Sequence, residues 1–332
     1  MITSGILSRQ PTWVAWTNEH LVHECALAFG QAIDMSTWKN YSSALNSYLN
    51  FVRMHDFPVE PTPDTLSFFT VYMSHHIKPD SVDTYLSGIC NQLEPFFPDV
   101  RKHRKSPLVH RTLDGCKRSH NTPTTRKFAL TTDNLLRIIQ HYATSPDHDD
   151  KLFVSQLLTG FFALLRLGEL VYPDDVSLCD PHKIVKRLSV LILDNLFQFE
   201  LPTHKADKFY EGHLIVIRKL DSPIDPYRHF LSYLQSCDHS FPYSSPLWLR
   251  ANGSVPTQSF FIKCFQQFFG SDFGGQSMCA GGATKLAEEG ASPAIIQATG
   301  QWSSEAFKIY IRRNPVLIQA IIYAHNLPTA TS

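Results

Sequence analysis

The stretch from residue 101 to 127, RKHRKSPLVHRTLDGCKRSHNTPTTRK, carries Arg101, Lys102, Arg104, Lys105, Arg111, Lys117, Arg118, Arg126 and Lys127 against one acid, Asp114. The whole chain holds 30 basic and 30 acidic residues, so this is a local excess and not a global one. Such a run is either a solvated linker or a stripe that meets phosphates. Arg166 stands at the end of an apolar run, LLTGFFALLRLGEL, where a charge is costly unless it pairs with an acid such as Glu169 or faces a phosphate. The helix-like stretch GGQSMCAGGATKLAEEG places Gln276 and Cys279 in its first turn. Cys279 has no histidine at a motif spacing that would make it a nucleophile. The histidines of HLVH around His20, and the pair His75 and His76, lack cysteine or acid partners at ligand spacing, so neither a zinc site nor any other metal or cofactor is expected.

These residues have to be positioned by a folded chain. With 332 residues and 43% hydrophobic composition the sequence can bury a core, and its length predicts two domains. Seven scattered cysteines without a C-x-x-C spacing fit a reducing compartment, hence an intracellular location. The opening MITSGILSRQ lacks a signal-peptide pattern, and Arg166 breaks the longest apolar run before it could span a bilayer, so no membrane partner is expected.

The first third reads as a helical bundle. Trp38, Tyr41, Leu45, Tyr48, Leu49 and Val52 recur at helical spacing behind Ser36, which is placed to cap. Pro63 opens a second helix, and Val82, Tyr85, Leu86, Ile89 and Leu93 line a third. The polar, proline-containing SHNTPTTRK marks a boundary, giving a helical domain over 1–122 that ends in a basic connector and a second domain over 123–332. The second domain opens with a helix from about Thr132 and a buried central helix through LLTGFFALLRLGEL. RLSVLIL, LFQFELP and HLIVIRK then read as short strands, the last two joined as a hairpin through THKADKFYEG. Helices return at DPYRHFLSYLQS and PTQSFFIKCFQQFF, at the Gln276 stretch stopped by Gly290, at SPAIIQATG with Ser292 as cap, at SSEAFKIYIRR and at NPVLIQAIIYAHN.

LLTGFFALLRLGEL, LPTHKADKFYEGHLIVI, GQSMCAGGATKLAEEGA and IIQATGQWSSEAFKIYIRR follow one another as in the tyrosine recombinase, or phage-integrase-like, catalytic domain. The wording most resembles the Crypton-like recombinases of fungal mobile elements. The resemblance covers residues ~130 to 325 and, more loosely, the helical domain before them. It implies a mainly α fold with a small antiparallel sheet: a helical core-binding (SAM-like) domain and a tyrosine recombinase catalytic domain of the DNA breaking-rejoining fold, forming a C-shaped clamp on double-stranded DNA. The implied reaction needs no metal. A tyrosine hydroxyl attacks phosphorus, a 3′-phosphotyrosyl bond forms, and the bond to the 5′-oxygen breaks as that oxygen takes up a proton.

Residue by residue, the resemblance implies Tyr310 as nucleophile and Arg166 as the first guanidinium clamping the phosphorane. Lys205 is implied as general acid, with Lys208 as its fallback, Trp302 as an indole donor to a nonbridging oxygen, and Glu169 as a supporting acid. Taken alone, Tyr310 and Trp302 read equally as core aromatics, and Lys205 as a solvated turn lysine. Relatives carry roughly G-H-S-[LM]-R-A-G-G-A-T where this chain has GQSMCAGGAT, so Gln276 stands at the histidine and Cys279 at the second clamp arginine. An amide cannot shuttle a proton near neutral pH, and a thiol offers neither charge nor a bidentate fork. Loss of one phosphoryl-clamping arginine lowers rates by about 10³ to 10⁵-fold. The expectation is a DNA-binding, recombinase-like protein with impaired strand transfer. Two alternatives stay open: full activity through substitutes such as Lys285, Arg312 or Arg313, or a non-catalytic DNA-binding or interaction scaffold. The resemblance further implies a homo-oligomer on DNA through the C-terminal helix and, in a eukaryote, a nuclear location.

Overall fold

The structure, a computed structural model, describes residues 13–30, 32–120, 127–203 and 212–302. The chain divides into two compact units, Met1–Thr124 and Thr125–Ser332.

The described part of the first unit is helical. Helix α1, Asn18–Gly30, buries none of its residues. Helices α2 (Met35–Met54), α3 (Pro63–Ser74) and α4 (Pro79–Leu93) form a bundle. Its core holds Tyr48, Phe51, Leu66, Phe69, Val82, Leu86 and Ile89, the apolar positions that helical spacing brings to one face. Asp34 and not Ser36 caps α2. Its carboxylate accepts the Ser36 N–H at 2.9 Å and the Ser36 hydroxyl as well, since a carboxylate one turn-start earlier reaches both donors.

Up to His120 the segment read as a basic connector forms two helices, α5 (Val100–Arg104) and α6 (Pro107–His120). Val109, Leu113 and Cys116 recur at four and three residues and are buried on the inner face of α6, which packs on α3. Helix α6 is therefore part of the first unit's core on one side and charged on the other.

The second unit begins with α7, Thr132–Tyr142, whose Thr131 and Asn134 form a reciprocal capping box. The central α8, His148–Phe162, is buried along almost its whole length. It stops four residues short of Arg166. Leu164 adopts φ 55°, and Leu165 donates its N–H to the Gly160 carbonyl, so a left-handed residue ends the helix where the sequence offers no glycine. A small antiparallel sheet follows in the order β1 (Leu191–Leu193), β2 (Leu196–Leu201), β3 (His213–Arg218). Only the end of RLSVLIL is strand, because Arg187–Ser189 coils into a 3-10 turn. Helices α9 (Pro226–Ser240), α10 (Gln258–Phe269), α11 (Gln276–Glu288) and α12 (Pro293–Thr299) complete the unit. Phe153, Phe161, Phe197, Phe230, Tyr233, Trp248, Phe261 and Phe265 fill the core between α8, the sheet and α9.

Helix α11 lies against α8 at unusually short range. A Cβ on Gly281 would stand 2.3 Å from the Leu130 carbonyl oxygen, and one on Gly282 would stand 1.9 Å from the Phe161 carbonyl oxygen. The two adjacent glycines are what allow this approach. No helix among the described residues is long and apolar enough to cross a membrane.

Candidate nucleic-acid and strand-transfer site

Arg166 sits just beyond α8 on extended backbone, φ −77° and ψ 148°, as the first residue of a 3-10 turn over Leu167–Glu169. Glu169 closes that turn on itself. Its carboxylate accepts the Arg166 backbone N–H at 2.8 Å and the Arg166 Nη1 at 3.0 Å. Both side chains are partly sheltered, 29% and 9% exposed for Arg166 and Glu169. The ion pair anticipated for Arg166 is present, yet it engages Nη1 alone. Nε and Nη2 donate to no described residue, so the guanidinium is held in place with donors left for an anion.

A residue that sequence reading passed over secures the far side of this turn. Gln156, fully buried on α8, donates Nε2–H to the Leu170 carbonyl at 2.8 Å. Its own amide oxygen and the hydroxyls of Ser155 and Thr159 find no partner among the described residues. A polar stripe inside an apolar helix was the signal in the sequence, since most buried polar groups have a hydrogen-bond partner.

The turn touches α11 directly. The Leu167 side chain packs on Gly275, where a Cβ would come within 2.8 Å of it. The residue after Arg166 thus meets the residue before Gln276. Gln276 is exposed on the first turn of α11, whereas Cys279 is 2% exposed, its thiol donating to the Gln276 carbonyl at 3.3 Å. Cys279 belongs to a small apolar cluster with Leu164, Ala283, Ala287, Ile296 and Trp302. Trp302 is 7% exposed, and its backbone is tied to Gln297, which donates Nε2–H to the Trp302 carbonyl at 2.9 Å. The structure therefore brings Arg166, Glu169, Gln276, Cys279 and Trp302 into one neighbourhood, and makes Cys279 and Trp302 core side chains of it. Lys285 pairs with Glu289 at 2.6 Å near the other end of α11, which leaves it a poor substitute for a clamp at the first turn. Tyr310, Lys205, Lys208, Arg126, Arg312, Arg313 and the NPVLIQAIIYAHN segment lie outside the described residues.

The basic residues of the first unit fall into two sets. Arg101 donates to Glu94 at 2.6 Å, Arg104 to Asp83 at 2.7 Å, and Lys117 reaches Asp83 and Asp80 at 3.3 and 3.4 Å. The hydrogen bond from Arg101 holds the Glu94 carboxyl below its ordinary range. These three cations tie α5 and α6 to the start and end of α4. Lys102, Lys105, Arg111 and Arg118 are exposed and form no ion pair among the described residues. Arg111 and Arg118 are two helical turns apart on one face of α6. Among the described residues no group of three or more His, Cys, Asp or Glu could hold a metal ion, and none of the seven cysteines forms a disulfide.

The order of elements, with a small antiparallel sheet set between a central buried helix and a helical C-terminal half, is that of the tyrosine recombinase fold. Solved structures with this fold include the XerH site-specific recombinase bound to a palindromic difH substrate, at 13% identity over 87% of this chain and 79% of that one with a TM-score of 0.59. A lambda integrase (75-356) dimer bound to a COC′ core site matches at 14% identity over 95% of this chain and 98% of that one, TM-score 0.55. The Tn1549 transposon integrase in complex with transposon right end DNA matches at 11% identity over 86% and 99%, TM-score 0.50. No family profile and no curated protein sequence matches the chain.

Proposed function

We propose that this protein binds double-stranded DNA as a tyrosine-recombinase-like protein and that its own strand-transfer chemistry is weak. The observation that carries the reading is the contrast across one contact. Arg166 is oriented by Glu169 with guanidinium donors to spare, while the neighbouring first turn of α11 offers an exposed amide and a buried thiol. In the proposed reaction the Tyr310 hydroxyl gives its proton to solvent as its oxygen bonds to phosphorus, the bond to the 5′-oxygen breaks, Lys205 protonates that oxygen and is reprotonated from solvent, and the phosphorane between them carries extra negative charge. One guanidinium stabilises that charge less than two do, and the shortfall falls on the rate and not on ground-state binding.

Binding rests on the exposed cations Lys102, Lys105, Arg111 and Arg118 of the first unit and on Arg166 of the second, all of which contact backbone phosphate without reading sequence. In keeping with the Crypton-like wording of the motifs, the chain derives from a mobile-element integrase, acts in the nucleus if its host is a eukaryote, and assembles as a dimer or tetramer on DNA. The test is duplex binding by the purified protein over a series of salt concentrations. A log–log slope at least as steep as roughly −4 to −5 is expected if these five cations each release about 0.9 counterion. Absence of binding at low salt refutes the reading and leaves a scaffold that does not touch DNA.

A further inference from the structure

We infer that Lys127 supplies the cation that the first turn of α11 itself lacks, and so acts as a phosphate-contacting residue of the strand-transfer site and not as part of an interdomain linker. This rests on the DNA-binding reading above. Three observations place it. The segment after the boundary runs beside the entry to α11, with Phe128 donating its N–H to the Asp272 carbonyl at 2.9 Å and Leu130 to the Ser277 carbonyl at 3.0 Å. These bonds fix the backbone of Lys127 next to the loop that leads into the helix. The Lys127 side chain then lies along that loop: a Cβ on Gly274 would stand 3.6 Å from Lys127 Cγ. Its ammonium donates to the Ser271 carbonyl, a neutral acceptor, and it forms no ion pair among the described residues. The charge is therefore anchored but not cancelled, and an ammonium has two further protons to donate.

Gly274 and Gly275 are consecutive, and they carry the two contacts that matter. Lys127 touches the first, and Leu167, next to Arg166, touches the second. The aliphatic stem of Lys127 thus passes Gly274 in the loop that enters α11, with its ammonium on the Ser271 carbonyl, and the arginine turn meets Gly275 at the helix cap. Lys285, the cation that lies on α11 itself, is spent on Glu289. Lys127 differs from the exposed cations of α5 and α6 because it belongs to the second unit and lies along the loop that leads into α11. A point-charge ammonium replaces a planar fork imperfectly, which fits a site that holds phosphate better than it turns it over.

The experiment compares the full chain with Lys127→Ala and Lys127→Arg for binding to one duplex over a salt series, and repeats the comparison in a Cys279→Arg background. The expected result is that Lys127→Ala weakens binding and reduces the salt slope by about one, while Lys127→Arg keeps both. In the Cys279→Arg background the loss caused by Lys127→Ala is expected to shrink, because an arginine now serves the same phosphate. An unchanged slope in Lys127→Ala overturns the inference, as does a loss that is the same in both backgrounds. If Cys279→Arg does not fold, the slope of Lys127→Ala decides alone. Failure of the unmodified chain to bind any duplex sinks the DNA-binding reading itself, a result that the Lys127 variants cannot produce.

Discussion

Replacing Gly282 by alanine should uncouple α11 from the arginine turn, and its size follows from the geometry. The new methyl would stand 1.9 Å from the Phe161 carbonyl oxygen, against an ordinary carbon–oxygen contact of about 3.3 Å. One of the two helices must therefore move by roughly 1.4 Å, and the obstacle is backbone at the last turn of α8, which cannot rotate away. Overpacking a core costs about 1–3 kcal/mol where side chains yield, and here the upper end applies. Alanine returns about 0.8–1 kcal/mol through its higher helix propensity. The net expectation is a loss of about 2 kcal/mol, or about 4–8 °C in the unfolding midpoint of a domain of this size. Thermal unfolding followed by far-ultraviolet circular dichroism reads it, with the second unit's transition tracked separately because two domains need not melt together. Gly115→Ala is the matched control. That glycine lies inside α6 with nothing within 4 Å of its added methyl, so the same change should stabilise the first unit by about 0.5–1 kcal/mol. If Gly282→Ala proves as stabilising as Gly115→Ala, the close helix contact that positions the site is refuted.

Other consequences concern the site's support and its pH range. Glu169→Ala removes both acceptors that hold Arg166, and should cost about 1.5–3 kcal/mol in denaturant titrations and weaken duplex binding; unchanged stability and affinity would show that the turn is organised by something else. Burial lowers the pKa of His229, outweighing the help of its bond to the Pro223 carbonyl. The unfolded chain then binds the proton more readily than the folded one, so stability is complete above the unfolded value of 6.5 and falls as pH drops below it towards the lower folded pKa. His229→Gln should flatten that acid limb of a stability–pH curve, and an identical limb would assign it to other groups.

The sequence showed most of the fold because its helices repeat apolar residues at three and four and its strands are short runs between turns. It concealed the end of α8, since Ala163, Leu164 and Leu165 continue the apolar run while the backbone turns at a non-glycine residue with positive φ. The ion pairs of Arg104 and Lys117 with Asp83 were equally hidden, because they span 21 and 34 residues and arise only when α5 and α6 pack on the bundle. Helix α1 offered no buried face to announce itself. At the site, residue identities were legible and depth was not. Nothing local to Cys279 or Trp302 says that the two share an apolar cluster, and Lys127 looked like one cation among nine until the backbone bonds of Phe128 and Leu130 set it beside α11.

The proposal that strand transfer is limited by the first turn of α11 is tested most directly by covalent trapping. Duplexes enriched from a random pool by binding to the protein, then nicked so that a cleaved end is lost, would be incubated with the unmodified chain, with Gln276→His plus Cys279→Arg, and with Tyr310→Phe. Cys279 is buried, so the arginine variant is first checked for folding, with a stability loss of about 1–3 kcal/mol expected from overpacking. The predicted result is a trapped protein–DNA complex that is scarce for the unmodified chain, rises at least a hundredfold in initial rate for the folded double variant, and disappears with Tyr310→Phe. Equal trapping by the unmodified and the double-variant chains would contradict it.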